Sequence, residues 1–133
     1  MCATPESHAT VLFDSDVLIW AIRRHAAALH MLESCPERTV SVVSCMEILA
    51  GARDKRELAV LRGFLTKFQR LPLTREIGHR AERYVELYAL KSAVSPLDAL
   101  IAATAVENHL PLCTANVKHF RSITDLELHP FKP

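Results

Sequence analysis

Glycine is scarce in this chain, three among 133 residues, and that scarcity argues against a glycine-rich loop cradling phosphates with its backbone N–H groups. Paired cysteines are lacking too. Cys2, Cys35, Cys45 and Cys113 lie far apart with no CxxC pair, three of them in or beside apolar stretches, so all four are expected to be reduced thiols of a cytosolic protein. No apolar run approaches the roughly 18 residues that a membrane span needs. The opening "MCATPESHAT" has neither a basic start nor an apolar core, as a secretion signal would. A soluble, cytoplasmic protein with no membrane partner is the expectation. Nor does one sign of charge dominate: 16 Lys and Arg stand against 15 Asp and Glu, a formal +1. Phosphate binding depends on where basic side chains cluster, so this balance neither supports nor excludes an RNA partner.

What is present is a globular composition. Half the residues are hydrophobic and under a quarter charged, which at this length fits one domain over 1–133, with an ordered core of about 9–129. Two apolar runs, "TVLFD" at 10–14 and the β-branched "TVSVVS" at 39–44, suit strands buried on both faces. "LPLCT" at 110–114 is a third, and "LHPFKP" closes the chain as a short strand plus a tail. Between the strands the helical period appears, first in Leu58, Leu61, Leu65 and Phe68, then in Ile77, Ala81, Tyr84, Val85 and Tyr88. Alternating strands and helices predict an α/β fold, a mostly parallel central sheet flanked by helices. Ligands of such sheets gather outside the C-terminal ends of the strands. A further helix, "PLDALIAATAVEN" from 96 to 108, is apolar or small nearly all round and is expected to be packed on nearly all sides.

Four positions fall where that geometry would put a site. Asp14 ends the first strand and suits an N-cap, while Asp16 suits the first turn of the following helix. Glu47 follows the second run with Ser44 three residues before it, the spacing of a capping box. Asp98 is the third helical position after Ser95 and Pro96, again a helix-start pattern, but on a helix whose remainder looks buried. A carboxylate there needs a partner, a metal or a proton. Thr114 and Asn116 follow the third strand and are ordinary turn residues by themselves. If the sheet gathers them, three carboxylates roughly 5 Å apart repel by about 3 kcal/mol per pair at an effective dielectric near 20. A cation is then expected, and oxygen-only donors with open positions suit Mg2+ or Mn2+. Zinc is disfavoured, because no Cys or His pair has ligand spacing.

Taken in order, Asp14 in "FDSDVLIW", Glu47 in "SCMEILAGA", Asp98 in "SPLDALIAATA" and the turn "TANVKHF" resemble a PIN-domain protein over nearly the whole chain, and most closely a VapC-type toxin. The resemblance implies a metal-dependent endoribonuclease. It also implies a homodimer, silenced by a small VapB-like antitoxin whose C-terminal segment enters the acidic cleft. Asp14, Glu47 and Asp98 would be the acidic metal ligands and Asn116 would stand where the family has a fourth acid. Many relatives with Asn there have an acid three residues on, where this chain has His119. Asp16 is therefore a candidate for the missing carboxylate. A metal-activated water would attack the phosphodiester and leave a 5'-phosphate and a 3'-hydroxyl.

Substrate contacts are expected from Arg23 and Arg24 after the first helix and from Thr114, Lys118, His119 and Arg121 around Asn116. Trp20 suits either base stacking or burial in the core or a dimer interface. Two rivals stay open. "FDSDVL" is similar to the D-x-D start of haloacid-dehalogenase-type phosphatases, although "VLIW" follows it and no D-D pair occurs in the chain. A PIN-like module that binds RNA or a partner without cutting is favoured by the neutral Asn116 and His119.

Overall fold

A computed structural model describes residues 10–133; Cys2 and the rest of the opening segment to Ala9 lie outside the described residues. Five short strands form one sheet in the order β3-β2-β1-β4-β5, every neighbouring pair parallel. They are β1 (Val11–Phe13), β2 (Arg38–Ser41), β3 (Gln69–Leu71), β4 (Leu112–Thr114) and β5 (Leu128–Pro130). Among the described residues seven helices accompany them: α1 (Ser15–Ile22), α2 (Ala26–Glu33), α3 (Val42–Ala50), α4 (Lys55–Leu65), α5 (Arg75–Tyr88), α6 (Pro96–Glu107) and α7 (Val117–Phe120). The α/β class and the parallel sheet are as expected.

Alternation along β1 divides the core, because successive side chains leave a strand on opposite faces. Val11 and Phe13 join one buried cluster with Val17, Leu18, Leu32 and Leu65 from α1, α2 and α4. Leu12 joins the other with Ile77, Tyr84, Ile101 and Ala102 from α5 and α6. Helix α6 is buried from Ala99 and from Ile101 to Ala105, as its uniform composition requires.

The strand order has one consequence for function. From β1 the chain moves outward through β2 to β3, then returns to β1's other side for β4. The order reverses between β1 and β4, and at such a switch point the diverging connections leave a crevice above the strand ends.

Several boundaries differ from expectation. The second strand ends at Ser41, not at 44, because the Ser41 hydroxyl accepts the Val43 N–H at 3.0 Å and starts α3. Ser44 is therefore inside a helix and buried, not an N-cap, and Glu47 lies in the second turn rather than the first. After β5 the chain stays packed: Phe131 is buried and its N–H donates to the Thr114 carbonyl at 2.8 Å. Cys45 and Cys113 are free and buried. Cys35 is disulfide-bonded, which corrects the expectation of four reduced thiols; sequence spacing says nothing of the roughly 4–7 Å Cα separation that permits the bond.

Candidate active site

Asp14 follows β1 directly. Its N–H donates to the Cys113 carbonyl at 2.9 Å, which extends the β1–β4 pairing of Phe13 with Cys113 and sets Asp14 beside Thr114 at the switch point. The side chain is 4% exposed. Its Oδ1 accepts the Ser15 N–H at 2.8 Å, and its Oδ2 accepts the Thr114 hydroxyl at 2.8 Å. Asp14 thus caps α1 and also faces the neighbouring strand. Burial, then the charge of Asp16, raises its pKa to about 7, against the opposing hydrogen bonds of Thr114 and Ser15; Asp98 adds a smaller push in the same upward direction.

Asp16, in the first turn of α1, reaches across to the same turn. Its Oδ2 accepts the Ala115 N–H at 3.0 Å and lies 3.4 Å from the Thr114 hydroxyl. Burial raises its pKa as well, with the backbone donor of Ala115 opposing. The other oxygen, Oδ1, is buried with no hydrogen-bond partner. Among the described residues no Lys, Arg or His pairs with Asp14 or Asp16.

Ser15, which the sequence reading passed over, joins the third acid to these two. Its hydroxyl donates to Glu47 Oε1 at 3.1 Å and lies 3.4 Å from Asp14 Oδ1. Its place between two acids in "DSD" was the available signal. Asp98 stands at the start of α6, in a capping box with Ser95, near enough for its charge to act on Asp14. Its Oδ2 accepts the Ser95 N–H at 3.3 Å and has His119 Nδ1 at 3.5 Å. Asp98 is half-buried at the mouth of the helix, not enclosed like the residues after it.

Thr114 has a different task from the substrate contact expected of it. It is fully buried, and its hydroxyl, besides facing Asp14 and Asp16, accepts the Asn116 N–H at 3.0 Å. Asn116 precedes α7 with no side-chain cap bond, and it is exposed, as are Lys118, Arg121, Arg23 and Arg24. Trp20 is half-buried against the core with its ring centroid 4.9 Å from that of His25.

The acids therefore share one end of the sheet without forming a closed cage. Among the described residues no three His, Cys, Asp or Glu side chains converge as a ready metal-binding group. The physical reason is visible in the bonds: carboxylates repel, and each here turns to a hydroxyl, an N–H or an imidazole. The donor set still fits a hard divalent cation. Its donors are chiefly oxygens, and a buried carboxylate oxygen without any donor is a placement that a cation stabilises. From Glu47 a groove of about 590 Å³ runs between α1, α3 and α4, lined by Ile19, Ile22, Arg23, Val60 and Leu61.

An α/β domain with an acidic crevice at its topological switch point is the class that fold and site define. The PIN-domain family model matches residues 11–126, and the chain belongs to that family. Ribonuclease VapC10 of Mycobacterium tuberculosis is 36% identical over 121 residues, covering 88% of this chain and 90% of that protein. A toxin–antitoxin complex from Klebsiella pneumoniae contains a chain with a TM-score of 0.78 and 27% identity, covering 92% of this chain and 99% of its own. VapBC2 from Rickettsia felis, bound to a fragment of its promoter DNA, shares the fold at a TM-score of 0.82 and 20% identity, with coverage of 93% and 100%. Family membership sets the phosphatase alternative aside.

Proposed function

We propose that this protein is the endoribonuclease toxin of a toxin–antitoxin pair and that it hydrolyses RNA with the help of Mg2+ or Mn2+. The observation that carries the metal is the placing of Asp14 and Asp16 on one threonine hydroxyl, with no cationic side chain against either among the described residues. A bound divalent ion would lower the pKa of a water and neutralise the phosphate oxygens as charge develops. Asp14 and Asp98 are the residues to hold it directly, while Glu47, kept in place by Ser15, holds it or orients the water as general base. Thr114 keeps Asp14 aimed. Asn116 leaves an uncharged amide at the rim, and Lys118, Arg121, Arg23 and Arg24, all exposed, are the cations that would hold phosphates flanking the cut.

Single-stranded or looped RNA is the fitting substrate, because protein side chains read splayed bases best. The antitoxin's seat is the groove beside Glu47, where Ile19 is 37% and Val60 65% exposed; an apolar segment lying there would end at the acids. A homodimer would cover Leu87, Leu90 and Leu97, all exposed near the α5–α6 turn. Among the described residues no helix is long and apolar enough to cross a membrane, and on this reading the protein works in the cytoplasm.

The test is cleavage of a broad RNA pool by purified, antitoxin-free protein with Mn2+ or Mg2+, alongside Asp98→Asn. The wild type should yield fragments with 5'-phosphates and the variant should not. Two proteins equally inert, yet still binding RNA, would leave the non-cutting module as the better account.

A further inference from the structure

Asp16 brings a carboxylate into the cleft where burial works against its charge more strongly than its hydrogen bonds, the Ala115 N–H foremost, favour it. Its Oδ2 accepts the Ala115 N–H and faces the Thr114 hydroxyl, and an asparagine could accept both through its amide oxygen. Burial opposes that charge although the N–H groups of Ala115, Val17 and Asn116 favour it; Asp14 shares the Thr114 hydroxyl, and Asp16 Oδ1 is buried with no donor at hydrogen-bonding geometry. The positive end of α1 does favour an acid in its first turn. That preference would be met equally well by a carboxylate facing solvent, whereas Asp16 turns toward the β4–α7 connection. Across that connection Asn116 offers the cleft only a neutral, exposed amide, which makes no cap bond of its own.

We propose that Asp16 supplies the negative charge that Asn116 lacks, acting on a divalent cation in the cleft from behind the Thr114–Asn116 turn that it holds. The inference rests on the metal-dependent reading above. Asp16 is in this sense a positioning residue: its hydrogen bond to Ala115 fixes the turn, its charge adds to the field at the cation, and it does not touch RNA. Position and charge can be separated by experiment, because Asp16→Asn keeps the shape and hydrogen-bond acceptor while Asn116→Asp puts a carboxylate on the β4–α7 turn that Asp16 holds.

The test is calorimetric titration of Mn2+ into the full chain, for wild type, Asp16→Asn, Asn116→Asp and the double variant, with thermal unfolding of each in EDTA. Asp16→Asn should weaken Mn2+ binding by about 10–100-fold, the range for residues that support metal ligands. The double variant should return to within a few-fold of wild type. In EDTA at pH 8, Asp16→Asn should unfold no lower than wild type, since it removes repulsion and keeps the turn. The proposal is overturned if Asp16→Asn binds Mn2+ as wild type does, if Asn116→Asp fails to restore binding, or if Asp16→Asn lowers the unfolding temperature in EDTA. Wild type that takes up no Mn2+ would overturn the metal-dependent reading itself, an outcome distinct from the three before it.

Discussion

Each end of the sheet holds a group of acids, and the two groups are treated in opposite ways. At the N-terminal end of β5, Arg80 donates to Glu107 and, at 2.8 Å, to Asp125. The Tyr84 hydroxyl adds a second bond to Asp125 at 2.9 Å, and burial pushes that phenol's pKa up to about 12. These acids tie α5, α6 and the segment before β5 together, and a guanidinium answers their charge. At the C-terminal ends of β1 and β4, Asp14 and Asp16 meet hydroxyls and N–H groups and, among the described residues, no cationic side chain, and both pKa values are raised. Acids that only hold a fold together come with a counter-charge; acids left without one, in a crevice, mark a site that works on something positive.

The sharpest way to break this contrast is to neutralise one acid at the working end. Asp14→Asn should lower RNA cleavage by about 10²–10³-fold, since losing several kcal/mol of transition-state stabilisation at about 1.4 kcal/mol per tenfold has that size. The same variant should not destabilise metal-free protein at pH 8, and unfolding in EDTA checks it. A smaller effect lies in pH dependence. With Asp14 raised from 3.8 to about 7, the folded state binds more protons than the unfolded one between those values. Stability without metal should therefore fall as pH rises from about 4 to about 7, at up to about 1.4 kcal/mol per pH unit. Asp16 acts in the same direction. Denaturant unfolding across that range in EDTA measures the slope, which Asp14→Asn should flatten. At the other end, Arg80→Ala should cost about 1–2 kcal/mol of stability, moderated because its carboxylate partners are partly exposed, with cleavage per folded molecule unchanged. Smallest is Lys118→Ala: RNA binding should weaken a few-fold, and the slope of log affinity against log salt should shallow by about 0.7, as for one lost phosphate contact on a single strand.

Those two ends were not equally legible in the sequence. The acids of the working end stood out because "FDSD" and "SPLD" join strand ends or buried helices, places where a carboxylate is unusual. The Arg80 network gave no local sign, since its members are separated by 27 and 45 residues and meet only through the fold. Buried strands declared themselves by apolar runs, but β3, "QRL", is mostly exposed and carries no such pattern. The β2 boundary was misplaced because Val42 and Val43 favour strands locally, while the Ser41 cap starts α3 there. Hydroxyl links were least visible: Ser15 and Thr114 join Asp14 to Glu47 and Asp16; Ser15 had only its place between two acids to mark it, and nothing around Thr114 separates a linking hydroxyl from a turn residue.

The central claim is that the working end keeps Asp14 and Asp16 without a cationic partner among the described residues in order to take up a divalent cation. Its most direct test is Mn2+ titration by calorimetry near pH 6.5 in two buffers of different ionisation enthalpy, for wild type and Asp14→Asn. Because a large share of Asp14 is protonated there before the ion arrives, wild type should bind Mn2+ and release a substantial fraction of a proton, while Asp14→Asn should bind far more weakly and release less. Equal Mn2+ uptake and equal proton release by the two proteins would contradict the account.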